Sequence, residues 1–219
     1  SQTYGSQIDK QTQTIFVRSD ASFSTIDSAA AGSQESVVVN RTSFGGWTGE
    51  NRVFGIAVQR MQRSVDFALS EANLRQNTVD LSLKARFGSF AAVAQTGIEQ
   101  RRILADESFT GVNTAGDIDV VANHIRAGVE ASLPIGDKIV VSAQMLANLN
   151  SDIESLNQAE VEIDQGIMAN AEASIDVVKN YVDALIGYRV NQETMTVDGV
   201  EFGEQEQGAF AGLRLGLYF

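Results

Sequence analysis

The chain has 219 residues, no cysteine, one histidine and one proline, with 43% apolar residues and a formal net charge of -12. That acidic balance argues against nucleic acid as a partner, because phosphates require a basic face. Mean hydropathy is -0.07 and no run approaches the roughly 18 consecutive apolar residues of a spanning helix, so helical membrane insertion is excluded too. Length fits one domain over residues 1–219, without linker, low-complexity run or internal repeat.

Taken in order, Ser1-Gln2-Thr3-Tyr4 has neither a basic start nor an apolar core and reads as a mature N-terminus. Residues 12–26 and 36–47 alternate least regularly. Residues 53–69 read as a strand in which Phe54, Ile56 and Val58 are out of phase with Val65, Phe67 and Leu69; a β-bulge between Gln59 and Met61 would restore the phase. Val79, Leu81, Leu83, Ala85 and Phe87 then oppose Asp80, Ser82, Lys84, Arg86 and Gly88, a period of two that places successive side chains on opposite faces. The chain turns at Gly88-Ser89 and continues through small residues to Arg101.

Ile125, Ala127, Val129, Ala131 and Leu133 oppose His124, Arg126, Gly128, Glu130 and Ser132, and the single proline, Pro134, marks the next turn. Residues 139–150 repeat the pattern, Ile139, Val141, Ala143, Met145, Ala147 and Leu149 against Ser142, Gln144 and Asn148. Over residues 159–175 the odd positions are largely apolar, while Glu160, Glu162, Asp164, Asn170 and Glu172 fill the even ones. After a turn near Lys179, Val182, Ala184, Ile186, Tyr188 and Val190 oppose Asp183, Gly187, Arg189, Asn191 and Glu193. From Gly208 to the end, Ala209, Ala211, Leu213, Leu215, Leu217 and Phe219 form one purely apolar face against small residues, Arg214 and two aromatics.

This last segment resembles the closing strand of bacterial outer-membrane β-barrels. The resemblance implies an all-β, transmembrane, antiparallel up-and-down barrel in a Gram-negative outer membrane, with Leu213, Leu215, Leu217 and Phe219 read by the barrel-assembly machinery. In such a barrel only alternate residues meet lipid, which reconciles the period with the low hydropathy. Counting runs gives about ten strands, with eight or twelve open. Both termini then lie on one side, the periplasmic one, and residues 1–11 form a periplasmic or lumenal segment. Turns fall at 48–51, 88–89, 134–138 and 177–180; longer, mostly acidic loops at 27–35, 71–76, 106–117, 152–158 and 199–207 would face outward. A soluble β-sandwich or lipocalin-like barrel shares the same period with its apolar face turned inward.

With lipid outside, the lumen collects Asp80, Lys84, Arg86, Glu99, Arg101, Arg126 and Glu130 from the first half of the strands. The second half adds Glu160, Glu162, Asp164, Glu172, Asp183, Arg189, Glu193 and Arg214. Acids outnumber bases on the C-terminal strands, so an open pore would prefer cations. A barrel of this size is also narrow enough for its own side chains to plug. The function this implies is a narrow porin-like channel for small, preferentially cationic solutes, without cofactor. Trp47, Phe87, Phe90, Tyr188 and Phe219 are candidates for an interfacial aromatic belt against outer-membrane lipid and lipopolysaccharide.

The lone His124 fits neither the Asp-x-His of omptin-like proteases nor the His-x-Ser of lipid A deacylases, so no enzyme is expected. Without cysteines there is no Cys/His metal cluster, and no EF-hand spacing occurs. A second resemblance begins at Arg52. The succession Arg-Val-Phe-Gly-Ile-Ala-Val-Gln-Arg, then Val-Asp-Leu-Ser-Leu-Lys-Ala-Arg-Phe-Gly-Ser-Phe, then Gln-Arg-Arg, is similar to the translocator barrels of autotransporters. It implies secretion through a barrel threaded by a helix. A third reading is a surface scaffold or adhesin acting through its external loops.

Overall fold

Extended alternation broken by short turns dictates strands throughout, and the computed structural model contains ten of them. It describes residues 13–28, 33–48, 54–67, 70–105, 118–155, 161–179, 181–197 and 200–218. They are β1 (Gln13–Ser28), β2 (Ser33–Thr48), β3 (Phe54–Phe67), β4 (Ser70–Phe87) and β5 (Phe90–Ala105). The second half comprises β6 (Ile118–Ile135), β7 (Ile139–Ser155), β8 (Val161–Val178), β9 (Val182–Val197) and β10 (Val200–Tyr218). Each pairs antiparallel with its sequence neighbours, and β1 pairs with β10, so the sheet closes on itself and no edge is left open.

The outer surface carries the apolar side chains. On β10 the outward row runs Leu217, Leu215, Leu213, Ala211, Ala209, then turns polar at Gln207. The same row of nine residues from first to last occurs on β4 from Phe87 to Val79, before Asn77. It recurs on β5 from Phe90 to Ile98, with Thr96 as its one polar member, before Gln100, on β6 from Leu133 to Ile125 before Asn123, and on β9 from Val182 to Val190 before Gln192. At a tilt of roughly 40° each residue climbs about 2.5 Å, so nine residues give a band on the order of 20–25 Å, the height of a bilayer's hydrocarbon region. Leu213, Leu215 and Leu217 stand 53–55% exposed there, and Phe23 reaches 77%. A soluble barrel would turn these inward; here the buried set includes Asp20, Arg41, Glu99, His124, Asp183 and Glu206.

The strands outrun the band at the end away from the termini, which corrects two expected loops. Residues 71–76 belong to β4 and 199–207 fall largely in β10, because their polar side chains extend paired hairpins beyond the apolar zone. The length asymmetry rests mainly on one connection: β5 ends at Ala105 and β6 starts at Ile118. The bulge expected between Gln59 and Met61 is absent, since β3 pairs with β4 without interruption from Phe54 to Phe67. Instead the outward row of β3 runs straight on into Arg60 and Gln62, while Met61 is buried inside. The side chains of Val65, Phe67 and Leu69 lie outside the described residues. Register shifts occur elsewhere, at Ile125/Arg126, Ile163/Gln165 and Asp176/Val178.

Two tight turns require glycine: Gly88 has φ 64° and Gly136 φ 65°. A side chain in this left-handed region costs about 1–2 kcal/mol. Gly88→Val is therefore expected to lower stability by about that amount in urea titrations, while Ser89→Val stays near wild type.

Candidate lumenal site

Contacts between strands that are not neighbours in the sheet must cross the interior, and several do so. Arg101 of β5 donates both terminal nitrogens to Glu193 of β9, at 2.7 and 2.6 Å, and its Nε donates to Glu99 at 2.8 Å. Arg126 approaches Glu99 from β6 at 3.8 Å. Arg18 of β1 joins Asp20 at 3.0 Å and reaches Glu172 of β8 at 2.5 Å. Asp20 also accepts from Arg189 of β9 at 3.2 Å, and both arginines lie over the ring of Phe210, at 5.5 and 4.4 Å from its centroid. Cation–π stacking thus holds two like-charged guanidiniums beside one carboxylate.

Nearer the turn end, Lys84 donates to Glu130 at 2.7 Å and sits 4.3 Å from the centre of a Trp47 ring; Gln144 donates to the same carboxylate at 3.3 Å. Arg214 donates to Asp183 at 2.8 Å and to Ser174 at 2.9 Å. Toward the other end Arg41 pairs with Glu206 at 2.9 Å, both almost fully buried, next to an apolar cluster of Ile26, Val37, Val39 and Met61. His124 meets Asp80 at 2.7 Å across Gly97, which separates them in the register and has no side chain to block the approach. The His124 Nδ1 atom has no partner.

Between these groups runs a cavity of about 380 Å³. Its charged lining is Arg18, Arg41, Lys84, Arg101, Arg126 and Arg189 against Asp20, Asp80, Glu99, Glu193, Glu204 and Glu206. Among the described residues six stand against six; Glu160, Glu162 and Asp164, which carry part of the expected acid excess, have no described side chain. The cations that restore the balance include Arg18 and Arg41, on the two strands whose alternation was hardest to read. Chemically such a wall offers paired donors and acceptors to a small polar solute, and among the described residues no group of three His, Cys, Asp or Glu side chains could hold a metal ion.

Of the lumenal residues expected from sequence, Asp80, Lys84, Glu99, Arg101, Arg126, Glu130, Glu172, Asp183, Arg189, Glu193 and Arg214 enter the ion pairs above. Arg86, Glu162 and Asp164 lie in strands, but their side chains are outside the described residues, as are Glu160 and Phe219 altogether. The register shift between Ile163 and Gln165 interrupts the alternation that joined Glu162 to Glu172. Trp47 leaves the expected outer belt: its ring faces inward over Lys84. Phe87 and Phe90 do stand outside at the turn end, and Tyr188 is exposed on the apolar face. Sequence reading missed Asp20, Arg41 and Glu206 as lumenal; Glu206 was hidden in an expected loop.

The closed barrel superposes on the translocator domain of the autotransporter NalP from Neisseria meningitidis with a TM-score of 0.52 and 12% identity, covering 96% of this chain and 91% of that one. It superposes on the outer-membrane protease OmpT from Escherichia coli with a TM-score of 0.51 and 10% identity, covering 93% and 97%. This is the bacterial outer-membrane β-barrel fold. No family model and no curated protein matches the chain. At these identities an outer-membrane barrel can be a protease, a translocator or neither, so function has to be argued from the lumen and the outer surface of this chain.

Proposed function

We propose that the chain is an integral barrel of the Gram-negative outer membrane, with periplasmic termini, and acts as a narrow, non-enzymatic channel for small polar solutes. The observation that carries this reading is the inverted distribution of polarity: an apolar band outside, and a charge-lined cavity of about 380 Å³ inside. Insertion through the assembly machinery is assigned to the β10 face of Leu213, Leu215 and Leu217. A lining that is balanced among the described residues makes selectivity between ions weak, and the net charge of -12 tilts it toward cations by raising their concentration at the mouths.

The test is single-channel conductance of the refolded chain in a planar bilayer under a salt gradient. Steady steps with a mild cation preference are expected. The Arg101–Glu193 bridge crosses the lumen, so Arg101→Ala should raise the conductance by removing that bar. The same bridges favour a second reading, a plugged barrel that presents its external loops as a surface scaffold. Barrels that insert yet conduct nothing, with Arg101→Ala equally silent, would replace the channel with that scaffold.

A further inference from the structure

The apolar band is interrupted on β3. Its outward row passes from Phe54, Ile56 and Val58 directly to Arg60, one side-chain step above the row in which Val58, Val79 and Ile98 pair across three strands. Arg60 therefore sits at the upper rim of the band, where the neighbouring strands carry the neutral Asn77 and Thr42. It pairs with Asn77, and Gln62 pairs with Arg75, so Arg60 and Arg75 are diagonal neighbours on one face, about 7–8 Å apart at the backbone. Both are exposed. Around them stand Thr42, Asn40 and Asn77; among the described residues no carboxylate shares this patch. With its amide turned to accept, Gln62 takes two of the Arg60 donors, at 3.1 and 3.3 Å, which orients the guanidinium without neutralising it.

Two like charges side by side at the edge of hydrocarbon repel one another and lose hydration, a cost that a bound anion reverses. The anion available at that depth is a lipid phosphate, and the fork of arginine donors matches phosphate oxygens bidentately. We propose that Arg60 and Arg75 form a clamp for a phosphate of the lipopolysaccharide anchor in the outer leaflet. This rests on the membrane placement proposed above, which sets the end away from the termini at the cell surface. The neutral Thr42, Asn40 and Asn77 supply hydrogen bonds to the sugar that carries the phosphate, which a simple phospholipid cannot use.

The experiment compares retention of bis-phosphorylated lipid A, dephosphorylated lipid A and phosphatidylglycerol by the detergent-purified barrel, read by native mass spectrometry. Variants R60Q, R75Q and the double are set against K138Q, at a turn on the opposite rim. Heat-modifiable migration reports insertion separately. Expected are at least tenfold stronger retention of phosphorylated over dephosphorylated lipid A, a loss of at least tenfold in the double variant, and no change in K138Q. Inserted barrels that retain both forms of lipid A equally, or whose double variant binds like wild type, would overturn the clamp while leaving the membrane reading intact. Equal retention of phosphatidylglycerol would overturn the glycolipid as its occupant. A wild-type chain that fails to insert would overturn the membrane placement itself, and the clamp with it.

Discussion

Leu213→Arg is expected to cost about 2–4 kcal/mol of folding free energy in phospholipid vesicles, the largest penalty of any single outward substitution considered. Leu213 is 55% exposed and lies in the middle of the β10 row, with Leu215 and Leu217 on one side and Ala211 and Ala209 on the other. Its cross-strand partners are Ser19 and Ala184, too short to offer a charge any partner. A guanidinium there must either leave water or drag water into the hydrocarbon. Gln207→Arg, on the same face at the rim, should cost no more than about 1 kcal/mol, since the penalty falls toward the interface. Urea unfolding followed by the single tryptophan, Trp47, measures both. Equal costs at the two positions would remove the apolar band and, with it, the transmembrane assignment.

Glu99→Leu is expected to destabilise the barrel by about 3 kcal/mol, the low end for breaking a buried ion pair, because its two arginine partners keep some contact with the cavity. Glu99 is 1% exposed and takes Arg101 at 2.8 Å and Arg126 at 3.8 Å. Without it, Arg101 keeps Glu193 as a partner and Arg126 loses the carboxylate at 3.8 Å. Removing the excess charge as well, in Glu99→Leu combined with Arg126→Leu, should recover part of the loss, giving a favourable coupling in a double-mutant cycle. Additive effects in that cycle would mean that Glu99 and Arg126 do not sense one another across 3.8 Å. The urea titrations used for Leu213 supply all four corners of the cycle.

The candidate site was legible where one face of a strand was uniformly apolar. On β4, β6, β9 and β10 that contrast identified Asp80, Lys84, Arg126, Glu130, Asp183, Arg189 and Arg214 as the opposite face. On β1 and β2, serine, threonine and small residues occupy both faces, so Arg18, Asp20 and Arg41 carried no phase signal. The lumen there is also partly apolar, with Ile26, Val37 and Val39 inside, which inverts the expected pattern locally. Trp47 was misplaced for a related reason: an aromatic at a strand end fits an interfacial belt, and only its stacking on Lys84 from β4 turns it inward. The hairpin extensions read as loops because polar strand residues outside the bilayer have the composition of loops.

Period and turn chemistry by themselves determined the strand class, a count of about ten, and which side of each well-alternating strand is apolar. Those are local properties, set by two-residue geometry and by residues such as Gly88 that suit a tight turn. Period alone could not decide between an apolar face turned outward and one turned inward, since both share it. Closure of β1 on β10 and the ion pairs that cross the interior decided that, as they depend on which strands face one another across the barrel. The same closure decided two of the ion pairs in the lumen: Arg18 and Arg41 reach Glu172 and Glu206 only because the first two strands lie beside the last three.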